Sequence, residues 1–107
     1  MKIWKDELFG PVLSVMRASD IDEALGLLNR STFGNMASIF TTSGKNAREF
    51  KRRAQAGMLG VNIGVAAPMA FFPFGGAKGS FFGDLKAHGQ DSVEFYTTKK
   101  MVTTRWF

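Results

Sequence analysis

The segment Pro68–Gly83, PMAFFPFGGAKGSFFG, limits what this chain can fold into more than any other stretch. Phe71, Phe72 and Phe74 precede a Gly75-Gly76 pair, Lys78 follows, and Phe81 and Phe82 come next. A regular core strand does not accommodate so many glycines, because each weakens the strand and packs no side chain. A disordered linker does not carry so many aromatic rings. The remaining reading is an ordered, irregular loop in which glycine allows unusual backbone angles or close approaches while the rings pack or line a cavity. Such a loop is suited to a site.

The chain around it has 107 residues, enough for one small domain. Hydrophobic residues make up 45% and charged residues 21%, ordinary values for a soluble globular chain. No apolar run approaches the roughly 20 residues needed to span a bilayer. The opening MKIWKDELFGP lacks a signal-peptide core and turns acidic early. The expected compartment is therefore the cytoplasm, or an organelle matrix if a targeting label lies upstream. There is no cysteine, which excludes disulfides, thiolate catalysis and cysteine-bound metal within this chain. With His88 as the single histidine and the carboxylates scattered, no metal site is expected.

A strand is expected at Val12–Met16, after Gly10-Pro11. Asp20 and Glu23 form a capping-box-like helix start, and Ile21, Ala24, Leu25 and Leu28 repeat at the spacing of one buried helical face. A second strand is expected at Ala37–Thr41. A second helix follows over about 45–55, with Ala47, Phe50 and Ala54 inward and Gly57 as its left-handed stop. Met58–Ile63 reads as a third strand broken by Gly60. Strand, helix, strand, helix, strand with short links predicts an α/β fold with a βαβαβ parallel sheet. A short helix is expected near Asp91–Thr97, opened by Asp91 and Glu94. Met101–Phe107 (MVTTRWF) reads as a last strand, pairing either within this domain or with another subunit or domain.

Three features invite functional readings from the residues alone. Lys45, Arg48, Lys51, Arg52 and Arg53 crowd one helix of a chain with net charge +5 and pI near 9.9. The aromatic among them, Phe50, belongs to the inward stripe, so a solvated helix face is expected rather than nucleic-acid binding. His88, between Ala87 and Gly89, is expected to have a surface or capping role. Near the start, Glu7 precedes Phe9 and a Gly-Pro turn. A carboxylate there is either a solvated residue before the turn or an acceptor for the two hydroxyls of a ribose, with the ring packing on a flat heterocycle.

Taken in order, ELFGPVL (7–13), FGN and ASIFT (33–41), GVNIG (60–64) and PFGGAKGS (73–80) resemble the C-terminal part of the aldehyde dehydrogenase superfamily across essentially the whole chain. After Gly-Gly-x-Lys the generic family pattern has a Ser-Gly-x-Gly run. Here SFFGDLKAHGQDSVEFYTTKK stands in its place, similar to the coenzyme A-acylating methylmalonate-semialdehyde dehydrogenase branch. The resemblance implies that residues 1–98 belong to the catalytic domain and 99–107 form an oligomerisation strand, making a homo-oligomer. It implies NAD as cofactor, a semialdehyde and coenzyme A as substrates, and no nucleic-acid or membrane partner. Glu7 matches the glutamate that holds the nicotinamide-side ribose, and Phe9 the ring beside the nicotinamide. Phe74, Phe72 and Phe71 match the aldehyde-tunnel wall, although core packing is an equally simple role for Phe74. Lys78 is expected to bond loop carbonyls. The family's catalytic cysteine lies upstream of the Glu-x-Phe-Gly-Pro motif, so the resemblance implies an inactive piece of an enzyme. An assembly module that self-associates or docks through its last strand is the alternative.

Overall fold

The computed structural model describes residues 2–107. A turn of 3-10 helix, Lys2–Trp4, precedes a segment without helix or strand. Helix α1 (Ile21–Arg30) starts where Asp20 and Glu23 placed it. The Asp20 carboxylate accepts from the Glu23 amide at 2.8 Å, and the Glu23 carboxylate reaches back to the Ser19 amide and hydroxyl at 2.8 and 2.7 Å. The return arm thus engages Ser19 rather than the capping residue itself. Leu25 is buried and Ile21 and Leu28 half-buried, but Ala24, expected on the same face, is exposed.

After a two-residue strand β1 (Phe33–Gly34), strand β2 (Met36–Ile39) leads into helix α2 (Gly44–Arg53), and strand β3 (Met58–Val61) returns parallel to β2. Met36 faces Met58, and Ser38 faces Gly60 across the ladder. The Ser43 hydroxyl caps α2 by accepting from the Asn46 amide at 3.3 Å. Phe50 packs inward, joining Leu25 and Met58 as the buried apolar residues described. Arg53 reaches Asp22 across the helix pair and Glu49 on its own helix, and the Asp22 contact chiefly raises the guanidinium's pKa. Lys45, Arg48, Lys51 and Arg52 are exposed, as a solvated face requires. Strand β4 (Ala77–Lys78) pairs antiparallel with β1, and helix α3 (Gly89–Tyr96) follows.

Four expectations need correction. The βαβαβ sheet reduces to one βαβ unit, because Val12–Met16 joins no ladder. A strand is defined by its partner's hydrogen bonds, and no described neighbour supplies them. Of the two pairings expected for Met101–Phe107, the one within this domain is not made: the segment joins no strand among the described residues, leaving Trp106 90% exposed. Gly57 does not stop α2 in a left-handed turn: the helix ends at Arg53 with Ala54 extended, and the left-handed glycines described are Gly83 and Gly89. Helix α3 opens two residues before Asp91, whose carboxylate accepts from the Lys86 amide at 2.9 Å instead of capping the helix.

The chain is spread out, with a radius of gyration of 18.5 Å against about 13 Å for a compact domain of this length. It exposes 9053 Å2, where a compact monomer of its mass exposes about 5,900 Å2. The excess is apolar in its most conspicuous parts: Leu13, Met101 and Phe107 stand in the open.

Candidate functional site

The glycine-aromatic loop is ordered by close approach. Gly75 and Gly76 are buried, and a Cβ on Gly75 would meet the Phe81 ring at 2.7 Å. On the other side, Gly57 at the entry to β3 touches the same pair: its Cβ would lie 2.1 Å from the Gly75 carbonyl oxygen. The Lys86 ammonium donates to the Gly76 carbonyl and sits 4.5 Å from the Phe81 ring centroid, a cation–π contact. Glycine is required here because two backbones and a ring occupy the space a side chain would need.

Beyond this knot the loop runs beside α1. The Lys78 ammonium donates to the Asn29 and Ser31 carbonyls at 2.8 and 3.0 Å, helix-end acceptors rather than the loop carbonyls expected. These are carbonyls at the C-terminus of α1, where cations are favoured. The Gly79 amide donates to the Thr32 carbonyl at 2.9 Å, and the Ser80 hydroxyl accepts from the Gly34 amide at 3.1 Å.

Glu7 stands at an open recess of about 740 Å3 whose walls include Trp4, Ser31, Phe33, Gly79 and Ser80. The structure therefore unites Glu7 with the far end of the glycine-aromatic loop, two segments more than 70 residues apart in sequence. Its carboxylate is exposed and makes no ion pair among the described residues. Both oxygens are open to hydroxyl donors.

The other candidates are placed elsewhere. Phe9 is fully exposed and forms no part of the recess wall. Phe74 is also outside that wall: its carbonyl accepts from the Ala87 amide at 2.9 Å, and its ring lies 5.4 Å from the His88 imidazole. Phe71 and Phe72 pack on each other at 4.7 Å between centroids and remain exposed. Core packing thus does not account for these rings. His88 is exposed with φ 77° and opens α3 without a side-chain cap.

Sequence reasoning passed over two asparagines. Asn29 clasps the end of α2, donating to the Arg53 carbonyl and accepting from the Gln55 amide, each at 2.9 Å. Asn62, left-handed at φ 58°, does the same for Thr41, accepting at 2.8 Å and donating at 3.1 Å. The signal for Asn62 was its place just after an apolar strand, where asparagine tolerates that conformation. Among the described residues no cluster of three or more metal-ligating side chains occurs, and no helix is long and apolar enough to cross a membrane.

With this geometry in view, the comparisons with known proteins are direct. The model of the aldehyde dehydrogenase family matches residues 1–102, and the chain belongs to that family. Within it, the chain is 61% identical over 106 residues to malonate-semialdehyde dehydrogenase 1 of Geobacillus thermodenitrificans and 59% identical to the malonate-semialdehyde dehydrogenase of Halalkalibacterium halodurans. Each alignment covers 99% of this chain and 22% of the relative, so the chain spans about a fifth of their length. The crystal structure of methylmalonate-semialdehyde dehydrogenase from Oceanimonas doudoroffii superposes with a TM-score of 0.94 at 46% identity. A Sinorhizobium meliloti chain described as a methylmalonate-semialdehyde dehydrogenase, crystallised with NAD, gives 0.93 at 49%. Both cover 99% of this chain and 22% of theirs.

Proposed function

We propose that this chain forms the cofactor- and substrate-facing wall of an NAD-dependent, coenzyme A-acylating methylmalonate- or malonate-semialdehyde dehydrogenase. The observation that carries this reading is the unengaged Glu7 carboxylate at the mouth of the Trp4–Ser80 recess. An exposed carboxylate with both oxygens unpaired fits a ribose diol, to which it accepts two hydrogen bonds. The NAD in the Sinorhizobium meliloti relative is consistent with that assignment. NAD, when bound, takes up the hydride released as the aldehyde carbon is oxidised.

Within such a site Glu7 orients the ribose, Phe9 offers a ring to the nicotinamide, and Phe74, Phe72 and Phe71 face the aldehyde's approach. The exposure of these four rings supports such a role, since each needs a partner surface to cover it. The overall conversion takes one semialdehyde, one coenzyme A thiol and one NAD to the acyl-coenzyme A, carbon dioxide and NADH. The thioester carbon comes from the aldehyde, and the carboxylate leaves as carbon dioxide. No residue of this chain supplies the thiolate that attacks the aldehyde. By itself the chain is expected to bind NAD weakly and to turn nothing over, acting in the cytoplasm of a bacterium or the matrix of a mitochondrion.

The test is a titration of the chain with NAD, paired with a steady-state assay using malonate semialdehyde, NAD and coenzyme A. Saturable binding that Glu7→Gln weakens, with no NADH formed, supports the reading. NADH production by this chain alone, or binding indifferent to Glu7→Gln, refutes it.

A second reading is favoured by the bare apolar tail and by the exposed area in excess of a compact monomer. The chain then serves as an assembly module, with Met101–Phe107 adding a strand to a second copy or to a full-length enzyme as a homo-oligomer forms.

A further inference from the structure

We propose that Lys78 is a positioning residue for the Glu7 recess, fixing the spacing of the two walls between which an NAD ribose is held. This depends on the assignment of Glu7 to the ribose diol. Lys78 does not line the recess; it acts through residues that do. One wall is the exit of α1, with Ser31 and then Phe33 and Gly34 of β1. The other is the loop end, Gly79 and Ser80. Lys78 joins them at three levels.

Its backbone pairs with Phe33 in the β1–β4 ladder. Its ammonium holds the Asn29 and Ser31 carbonyls at 2.8 and 3.0 Å, closing the C-terminus of α1 with a cation from outside the helix in addition to the helix's own Arg30. Its left-handed backbone, φ 56°, directs the following Gly79 amide to Thr32 and brings the Ser80 hydroxyl to the Gly34 amide. A lysine in that conformation is disfavoured by its own Cβ and persists only where surrounding contacts impose it. Here the imposing contacts are the two charge-assisted bonds to the helix end. Cutting them frees the loop end from α1 and lets the recess widen beside Glu7.

The experiment has one arm without ligand and one with it. Amide hydrogen exchange in the full chain is followed at Gly34 and Gly79, which report the wall contacts. Met58 and Asn62, whose amides bond Asn35 and Ile39, report the integrity of the βαβ unit. Lys78→Met, which loses both bonds to the helix end, is expected to speed exchange at Gly34 and Gly79 at least about tenfold, with Met58 and Asn62 unchanged. Lys78→Arg is expected to restore most of the protection. If the methionine variant does not fold, Lys78→Gly removes the same ammonium while relieving the left-handed backbone. Unaltered exchange at Gly34 and Gly79 with Met58 and Asn62 intact overturns the proposal, as does equal acceleration in the arginine variant.

In the second arm NAD is titrated against Trp4 emission in a Trp106→Phe background. Lys78→Met is expected to raise the dissociation constant about tenfold. An NAD response that Lys78→Met leaves unchanged overturns the role of Lys78 alone. No NAD response in the unmodified lysine chain overturns the ribose assignment of Glu7, and with it the role of Lys78 towards NAD.

Discussion

Gly57 and Gly75 meet backbone to backbone: a Cβ on Gly57 would stand 2.1 Å from the Gly75 carbonyl oxygen and 2.6 Å from the Gly76 carbonyl carbon. This contact clamps the glycine-aromatic loop onto the entry of β3, and through it Phe74 and Lys78 take their places on either side.

Gly57→Ala is therefore expected to cost about 3 kcal/mol, because the added methyl meets main chain that cannot rotate away. Gly26→Ala, inside α1 with nothing within 4 Å of its Cβ, is expected to stabilise by about 1 kcal/mol through helix propensity. Thermal unfolding followed by far-ultraviolet circular dichroism checks both, and opposite signs are the expected result.

Asn29→Ala removes both bonds that join the end of α1 to the Arg53 carbonyl and Gln55 amide. A loss of about 2 kcal/mol is expected, since two bonds are lost at once and the Arg53 carbonyl is left unpaired in a half-buried place. Urea denaturation measures it. A change below about 0.5 kcal/mol, the range of an ordinary surface substitution, would show that the clasp contributes nothing.

The bonds from the Ser19 amide and then the Ser19 hydroxyl hold the Glu23 carboxyl below its usual pKa. A folded value below the unfolded one gives stability that is present above the unfolded pKa and lost as pH falls through the folded pKa. Helicity at 222 nm, followed from about pH 6 to about pH 2, should fall in part through this group. In Glu23→Gln the acid-range decline should shrink, and an identical profile would remove Glu23 from the acid response.

Deletion of residues 101–107 tests the tail. Sedimentation equilibrium is expected to show self-association in the full chain and a smaller species after deletion, because Trp106 and Phe107 are uncovered in the single chain. The same mass for both chains argues against the assembly reading.

Local elements were legible because their causes are local. Asp20 with Glu23, and Ser43 before Gly44, state where helices begin, since a short polar side chain reaches its own helix's orphan amides. The expected strands 37–41 and 58–63 announced the βαβ unit, though each runs two residues past the observed end. Val12–Met16 was misread as a strand of this chain's own sheet, and Met101–Phe107, expected to pair either within this domain or with another subunit or domain, finds no partner within the described residues. Their composition is that of strands, but pairing is a property of neighbours, and composition does not name the neighbour. Of the candidate site, Glu7 and the loop were found by motif, while the recess they share was not visible in either segment.

The sequence by itself determined that an ordered glycine-aromatic loop follows alternating helices and strands, that no thiolate nucleophile is present in this chain, and that its motifs follow the aldehyde dehydrogenase order. Tertiary structure alone decided that Gly57 exists for contact rather than for helix termination. It also decided that Lys78 closes a helix distant in sequence, and that Glu7 faces Gly79 and Ser80 rather than Phe74. The physical reason is range: caps and periodicity act over three or four residues, whereas close approach and charge-assisted bonding join segments whose meeting depends on the whole path of the chain.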